Sequence, residues 1–316
     1  MPGGFDVKML HLQLAALAVL APLAALGGGG EVYPVEELAG GSMYLGLARF
    51  GVALAGSGEA AVNPAGLAYA ENLDVIGSVA AAPYLNDALF ACFSVGVVKP
   101  MRAESATLDE VKTLAALGVG LHQLDQGTVS GRDAEGNRTG REYRTDQSLA
   151  EISLGTQLGG FGALGLNLKV LSINAGERAD SGFGLDLGLM LRPGGLRVGL
   201  SAVNVIPPGI SLAGERTLDS LTLRAGVGYE LFGIVTPTIE ALYVPDDGAY
   251  RYGFNLLVEP WSGEWGRLAV GGGYDVESER WGAVFMLRME FIEVTYARYE
   301  MGLIGPCHSI RLSFSL

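Results

Sequence analysis

The sequence predicts an all-β protein: a transmembrane antiparallel β-barrel of about fourteen strands, to which a family resemblance adds an N-terminal plug or hatch segment with a short helix. Three observations carry that prediction. From Leu73 onward apolar residues recur at every second position, the period that sends alternate side chains to opposite faces of a sheet. The alternating segments run to about 10–12 residues, longer than the 5–6 common in soluble sheets and matched to the roughly 9–11 that a tilted strand needs to cross a bilayer. Finally, Gly accounts for 48 of 316 residues, about twice its average share, beside 49% hydrophobic and only 17% charged residues and a mean hydropathy of +0.32.

The same composition excludes other classes. The chain is too apolar for intrinsic disorder. Its net charge of −13 and the lack of any Lys or Arg run leave no electrostatic footprint for nucleic acid. Two Cys exclude a disulfide scaffold, and three His offer no zinc-site spacing, so neither metal nor cofactor is expected.

Residues 1–30 read as a signal peptide. The run Leu10 to Leu26 follows Lys8 and ends in small residues and Gly27 to Gly30. Asp6 cancels Lys8 in the leading region, and Met9 is an alternative start. A retained membrane anchor is the competing reading. His11, Gln13 and Pro22 oppose it, as does a length just under the roughly 20 residues of a spanning helix.

The barrel is expected over 73–316. Its strands are read at 73–82, 87–98, 113–124, 147–158, 162–173, 182–192, 195–204, 219–231, 233–244, 250–259, 266–275, 279–288, 290–299 and 307–316. Segment 162–173 shows the pattern: Leu164, Leu166, Leu168 and Val170 share one face, while Gly165, Asn167, Lys169 and Leu171 share the other. Aliphatic residues are placed outward toward lipid, and Gly and charged residues inward. Closing the sheet removes the unpaired edges that hydrocarbon cannot solvate. An even strand count puts both barrel ends on one side, where Gly159 to Phe161, Pro193–Gly194, Phe232 and Met289 supply short turns. The opposite side is assigned long loops at 125–146, 174–181 and 205–218. Connections 99–112 and 83–86 fit this rule less well. Ile310, Leu312, Phe314 and Leu316 form an amphipathic closing strand.

Phrases spread over most of 50–316 carry a family resemblance. They are Gly51-Val-Ala-Leu-Ala-Gly, Asn63-Pro64-Ala65-Gly66-Leu67, Leu164-Gly-Leu-Asn-Leu-Lys169, Gly184-Leu-Asp186-Leu-Gly188, Leu196 to Asn204, Leu223-Arg-Ala-Gly-Val and His308 to Phe314. Their order and spacing resemble the PorV/PorQ-like family, within the fourteen-stranded FadL-type outer-membrane proteins. The family's aromatic before Asn-Pro-Ala is replaced here by Ala61 and Val62. The resemblance implies that residues 31–72 fold into the lumen as the plug, in a bacterial outer membrane. It also implies an accessory role in secretion or surface delivery of exported proteins, as in type IX systems. The other reading is a FadL-like passive transporter of hydrophobic small molecules that leave through a gap in the wall; a purely structural barrel is a third. Loop 125–146, with five Asp/Glu and four Arg, favours protein partners over a greasy ligand. Expected partners are thus outer-membrane lipid with exported proteins or a hydrophobic small molecule.

Several residues invite a functional reading. Asn63, Pro64, Ala65 and Gly66 form the plug motif, either as a helix start with Asn as cap and Pro in first place or as a substrate contact. Asn167, Lys169, Asp186, Arg224, Glu230, Glu240, Asn255, Glu293 and Arg311 are expected to line the lumen. They either neutralise one another and hold the plug or select a solute. Gly160 to Gly165 matches the GxGxxG dinucleotide pattern but lies between two strands, which removes the helix that motif requires. The sequon Asn137-Arg-Thr139 is read as chance. His122 and His308 have no nucleophile motif beside them, so no enzyme activity is expected. Cys92 and Cys307 fall about two strand spacings, roughly 10 Å, apart and are read as free thiols. Tyr229, Tyr243, Tyr250, Trp261, Trp265, Tyr274, Trp281, Tyr296 and Tyr299 are assigned to interfacial girdles.

Overall fold

The structure, a computed structural model, describes residues 35–316 except 55, 57–58, 84–88, 104–111, 133–137, 177, 213–214, 219, 246–247, 264 and 302–304. The signal-peptide assignment at 1–30 lies outside the described residues, as do 31–34. Among the described residues no helix is long and apolar enough to cross a membrane.

Fourteen antiparallel strands close into a barrel, and two more form a separate hairpin. The first seven barrel strands are β1 (Asp74–Pro83), β2 (Leu89–Ala103), β3 (Lys112–Arg132), β4 (Arg138–Leu158), β5 (Gly162–Ala175), β6 (Arg178–Leu191) and β7 (Leu196–Ile206). The hairpin is β8 (Gly209–Leu212) with β9 (Glu215–Leu218). The barrel resumes with β10 (Thr222–Tyr229), β11 (Val235–Val244), β12 (Ala249–Gly263), β13 (Gly266–Asp275), β14 (Arg280–Met289), β15 (Ile292–Glu300) and β16 (Pro306–Ser315). β1 pairs with β16 from Asp74↔Ser315 to Ala81↔His308, closing the cylinder. Leu73 and Leu316 extend the seam by exchanging backbone hydrogen bonds. The end carrying Asp74 and Ser315 is termed basal, and the opposite end distal.

Each strand alternates as an amphipathic sheet requires. Val95, Leu121, Ile152, Phe183, Ile239 and Ile310 stand exposed on the outer face, while their sequence neighbours are buried inside. An exposed apolar band around a closed sheet suits hydrocarbon rather than water. Aromatic residues mark its two edges. Phe161, Tyr229, Phe232, Trp261 and Trp265 are exposed near the basal end, and Tyr250, Tyr252, Tyr274, Trp281 and Tyr296 near the distal end. Tyr299 departs from the girdle assignment. It is fully buried, because its position on β15 is the inward one.

The basal turns after β4, β6 and β10 are short and each uses a left-handed residue, at Gly159, Gly194 and Gly233. Two distal assignments are corrected. Most of 125–146 is strand: β3 and β4 pair beyond Asp125↔Asp146 to Arg132↔Arg138, so a polar stretch read as loop continues the ladder outside the apolar band. The 174–181 loop collapses to a tight hairpin, since Ala175↔Arg178 already pair across Gly176 at φ 63°.

Candidate functional site

A barrel of this strand number has a lumen that its own side chains do not fill. Here the described residues of 35–72 lie against its inner wall. A short helix, Val35–Ala39, is followed by a second, Gly41–Gly46, which leans on β14, β15 and β16; a 3₁₀ turn, Pro64–Tyr69, rests on β3 to β6. Tyr44, Leu45, Leu47, Phe50 and Leu67 are fully or almost fully buried. At about 1.5–3 kcal/mol for each fully buried large apolar side chain, they supply much of the segment's adhesion.

Glycine decides how close the segment comes. Gly155, Gly165, Gly188, Gly199, Gly253, Gly273 and Gly282 lie on the inner faces of seven different strands, and a Cβ at any of them would collide with the segment. At Gly155 it would stand 2.6 Å from the Ala68 amide nitrogen, and at Gly282 2.6 Å from the Leu45 carbonyl oxygen. The wall thus carries a glycine track along which the backbone of the inner segment is laid.

Asn63 caps the 3₁₀ turn from an extended conformation, accepting from the Ala65 amide at 3.1 Å, with Pro64 next in line. Its Nδ2 donates to the carbonyls of Val52 at 3.0 Å and Leu189 at 3.3 Å, tying cap, segment and wall together. Gly66 donates its amide to the Asn63 carbonyl at 3.0 Å. All four motif residues are buried in protein.

Four of the predicted lumen residues bond the inner segment. Glu240 accepts from the Val52 amide at 2.8 Å, Asn255 donates to the Phe50 carbonyl at 3.1 Å, Arg224 donates to the Tyr44 hydroxyl, and Arg311 pairs with Glu59. Glu293 holds Arg311 from the other side at 2.8 Å. Glu230 is displaced from its expected place: it lies just past the end of β10 and pairs with Arg197 at the basal rim.

Asn167, Lys169 and Asp186 belong to a second network, which also contains Ser94, His122, Glu151 and Ser153, none of them among the expected lumen lining. Ser94 Oγ lies 2.8 Å from His122 Nδ1, and His122 Nε2 lies 3.2 Å from Glu151. Asn167 donates to Glu151 at 3.1 Å and to Asp186 at 3.0 Å, and accepts from Ser153 at 2.8 Å. Lys169 pairs with Asp186 at 2.9 Å. Inward alternation is the signal that could have found His122 and Glu151.

The network ends on a fault in the wall. β6 and β7 pair regularly from Leu191↔Val198 to Leu187↔Ala202, then jump to Leu185↔Ile206. Val203, Asn204 and Val205 therefore face the single residue Asp186. Asn204 is left-handed at φ 61°, and its amide donates to Asp186 at 2.7 Å. Distal to Leu185, β6 has no ladder partner on this edge among the described residues. The chain leaving β7 turns inward instead. Pro208 and Gly209 lie against the inner faces of Gly182 and Gly184, Asp180 accepts from the Ser211 amide, and Ile210 is buried.

Ile210 enters an apolar cluster that fills the distal half of the lumen, with Val35, Leu38, Phe50, Cys92, Leu124, Leu149, Leu171, Leu242, Tyr299, Met301 and Cys307. This corrects the expectation of a lumen lined by Gly and charge. Leu124, Leu149, Leu171 and Leu242 occupy inward positions too, on the distal side of the wall. Both Cys are free. The basal half is polar: a cavity of about 290 Å³ is bordered by Glu59, Tyr69, Arg192, Arg197, Glu293 and Arg311, among others. Arg192 lies 3.9 Å over the Tyr69 ring, and burial, with repulsion from Arg197, pulls its guanidinium down to about 10.

Outside the wall, beside the fault, runs an apolar groove of about 600 Å³. Ala202, Ala225 and Ala241 are small residues in its middle, with Leu187, Leu223 and Tyr252 among those around them. Among the described residues no group of His, Cys, Asp or Glu gathers as a metal site.

No protein-family model matches the chain, nor does any curated protein. Solved structures share its fold. The toluene transporter TodX of Pseudomonas putida matches at a TM-score of 0.54 and 11% identity, over 92% of this chain and 97% of its own. The deltaS2S3 mutant of the TodX monoaromatic hydrocarbon channel matches at 0.56 and 12%, over 87% and 99%. The deltaS2 mutant matches at 0.52 and 11%, over 89% and 98%. The likeness is one of fold, a closed antiparallel β-barrel.

Proposed function

We propose that this chain is an integral protein of the bacterial outer membrane that passes hydrophobic small molecules, with its basal end in the periplasm and its distal end at the cell surface. Solute enters the apolar distal lumen, moves past Ile210 to the β6–β7 fault, and leaves sideways along the outer groove into the bilayer. No step requires chemistry or energy input, because each compartment is apolar and transfer follows the concentration gradient. The observation that carries this reading is the adjacency of a distal apolar lumen, an interrupted ladder and an apolar outer groove on one side of the barrel. The structurally similar toluene transporter and monoaromatic hydrocarbon channel agree with it. The test is uptake of a neutral aromatic hydrocarbon into liposomes. Protein-bearing vesicles are expected to fill faster than empty ones, and equal rates would remove the proposal.

The PorV/PorQ-like reading, an accessory in protein secretion, is kept as the second. One observation favours it: β3 and β4, each 21 residues, pair well past the apolar band and present a polar rim with the Arg144–Asp125 pair. A detergent pull-down from native membranes separates the two. An exported protein that co-purifies supports the second reading, and a bound hydrophobic compound the first.

A further inference from the structure

At the distal rim of β14 to β16 the outer wall turns a cation toward the lipid. On β15 the residues Val294, Tyr296 and Arg298 share the outward face, between the buried Thr295, Ala297 and Tyr299. His308 of β16 is the cross-strand partner of Arg298, so the two side chains stand side by side. Aromatic rings flank both. The Arg298 guanidinium lies 4.9 Å from the Trp281 ring centroid, within the range of a cation–π contact. The Tyr296 hydroxyl lies 2.8 Å from His308 Nδ1.

The donors left over define a ligand. Arg298 spends one donor on Glu300, at 2.8 Å, and a guanidinium has five. The Tyr296 hydroxyl engages His308 Nδ1, which leaves Nε2 as the ring's remaining polar atom. Arg298 sits two residues from the end of its strand, level with the distal aromatic edge, where lipid headgroups meet the hydrocarbon. Glu300 balances the Arg298 charge through one N–H, and the remaining N–H groups of the guanidinium lie at the interface where lipid phosphates accept hydrogen bonds.

We infer that Arg298 and His308 hold the phosphate of an outer-leaflet lipid headgroup, with Trp281 and Tyr296 as the aromatic platform beside it. The occupant is a lipid rather than free phosphate because the site faces the bilayer, where only an anion attached to acyl chains gains from the apolar wall below. The inference depends on the distal end facing the outer leaflet and is independent of what passes through the lumen.

Native mass spectrometry of the purified barrel in neutral detergent tests it, with diphosphorylated lipid A or the same lipid dephosphorylated as the probe. The phosphorylated lipid is expected to be retained, and an Arg298→Gln/His308→Gln variant to lose about a hundredfold in retention, each lost charge-assisted bond contributing about a factor of ten or more. Arg298→Lys is expected to recover part of it. Equal retention of dephosphorylated lipid, or unchanged retention by the double variant, overturns the inference. Displacement by millimolar inorganic phosphate also overturns it, because the site is then a bare anion site. Heat-modifiable gel mobility reports folding; if the double variant does not fold, each single variant is read by the same criteria.

Discussion

Gly165 of β5 and Ala65 of the inner segment are in backbone contact: a Cβ on the glycine would overlap the Ala65 amide. The contact recurs around the lumen at other glycines, so the wall and the segment are shaped to each other rather than merely adjacent.

Enlarging Gly165 should therefore unseat the segment while sparing the barrel. Gly165→Val is expected to cost about 1–3 kcal/mol by overpacking. Limited proteolysis should then cut within 35–72 faster than in the parent, with heat-modifiable mobility retained. Unchanged proteolysis would mean that the wall yields without loss.

Asn63 makes one cap bond and two donor bonds, which separate by substitution. Asn63→Ala loses all three and should destabilise by about 1–3 kcal/mol. Asn63→Asp keeps the cap acceptor but leaves the Val52 and Leu189 carbonyls without their donor. In urea unfolding followed by tryptophan fluorescence, a midpoint for Asp as high as the parent's would show that the two donor bonds contribute nothing.

Lys169 and Asp186 are both almost fully buried. Removing one partner strands a charge, so Lys169→Met alone should cost about 3–5 kcal/mol, and Lys169→Met with Asp186→Leu distinctly less. The double variant also loses the acceptor for the Asn204 amide that pins the wall fault. If the fault is the exit, hydrocarbon uptake by the double variant should drop several-fold even where it folds. Parental uptake rates would detach the network from the pathway.

Ile210 is expected to act as a stopper between distal lumen and fault. Ile210→Asp places a charge in an apolar cluster and should expel the segment 207–212. Uptake should rise, and rise less for Ile210→Val. Slower or equal uptake for the Asp variant would contradict the stopper role.

Cys92 and Cys307 are buried and unbridged. A maleimide should label neither within minutes in the folded barrel and both in urea, with no mobility change on reduction. Rapid labelling of the native protein would place them in an open lumen instead.

Much of this architecture was legible from one dimension. Strands at 266–275 and 162–173 could be read from alternation because a sheet imposes period two on every crossing, and lipid outside makes the apolar half of that period obligatory. Segment 125–146 was misread for the same reason: beyond the hydrocarbon, lipid no longer demands apolar residues, so the pattern fades while the ladder continues. His122 and Glu151 were visible as inward positions, yet nothing local says that they meet across neighbouring strands.

The sequence by itself determined the alternation, the strand number and the inward placement of glycine, because each follows from the spacing of side chains along a single strand. Only the tertiary structure decided that the distal lumen is apolar, that Asp186 anchors a break between β6 and β7, and that the glycines form a track for residues 35–72. Those features arise between strands and between wall and segment. They depend on register and on what fills the barrel, and register is set by pairings whose partners lie tens to hundreds of residues apart.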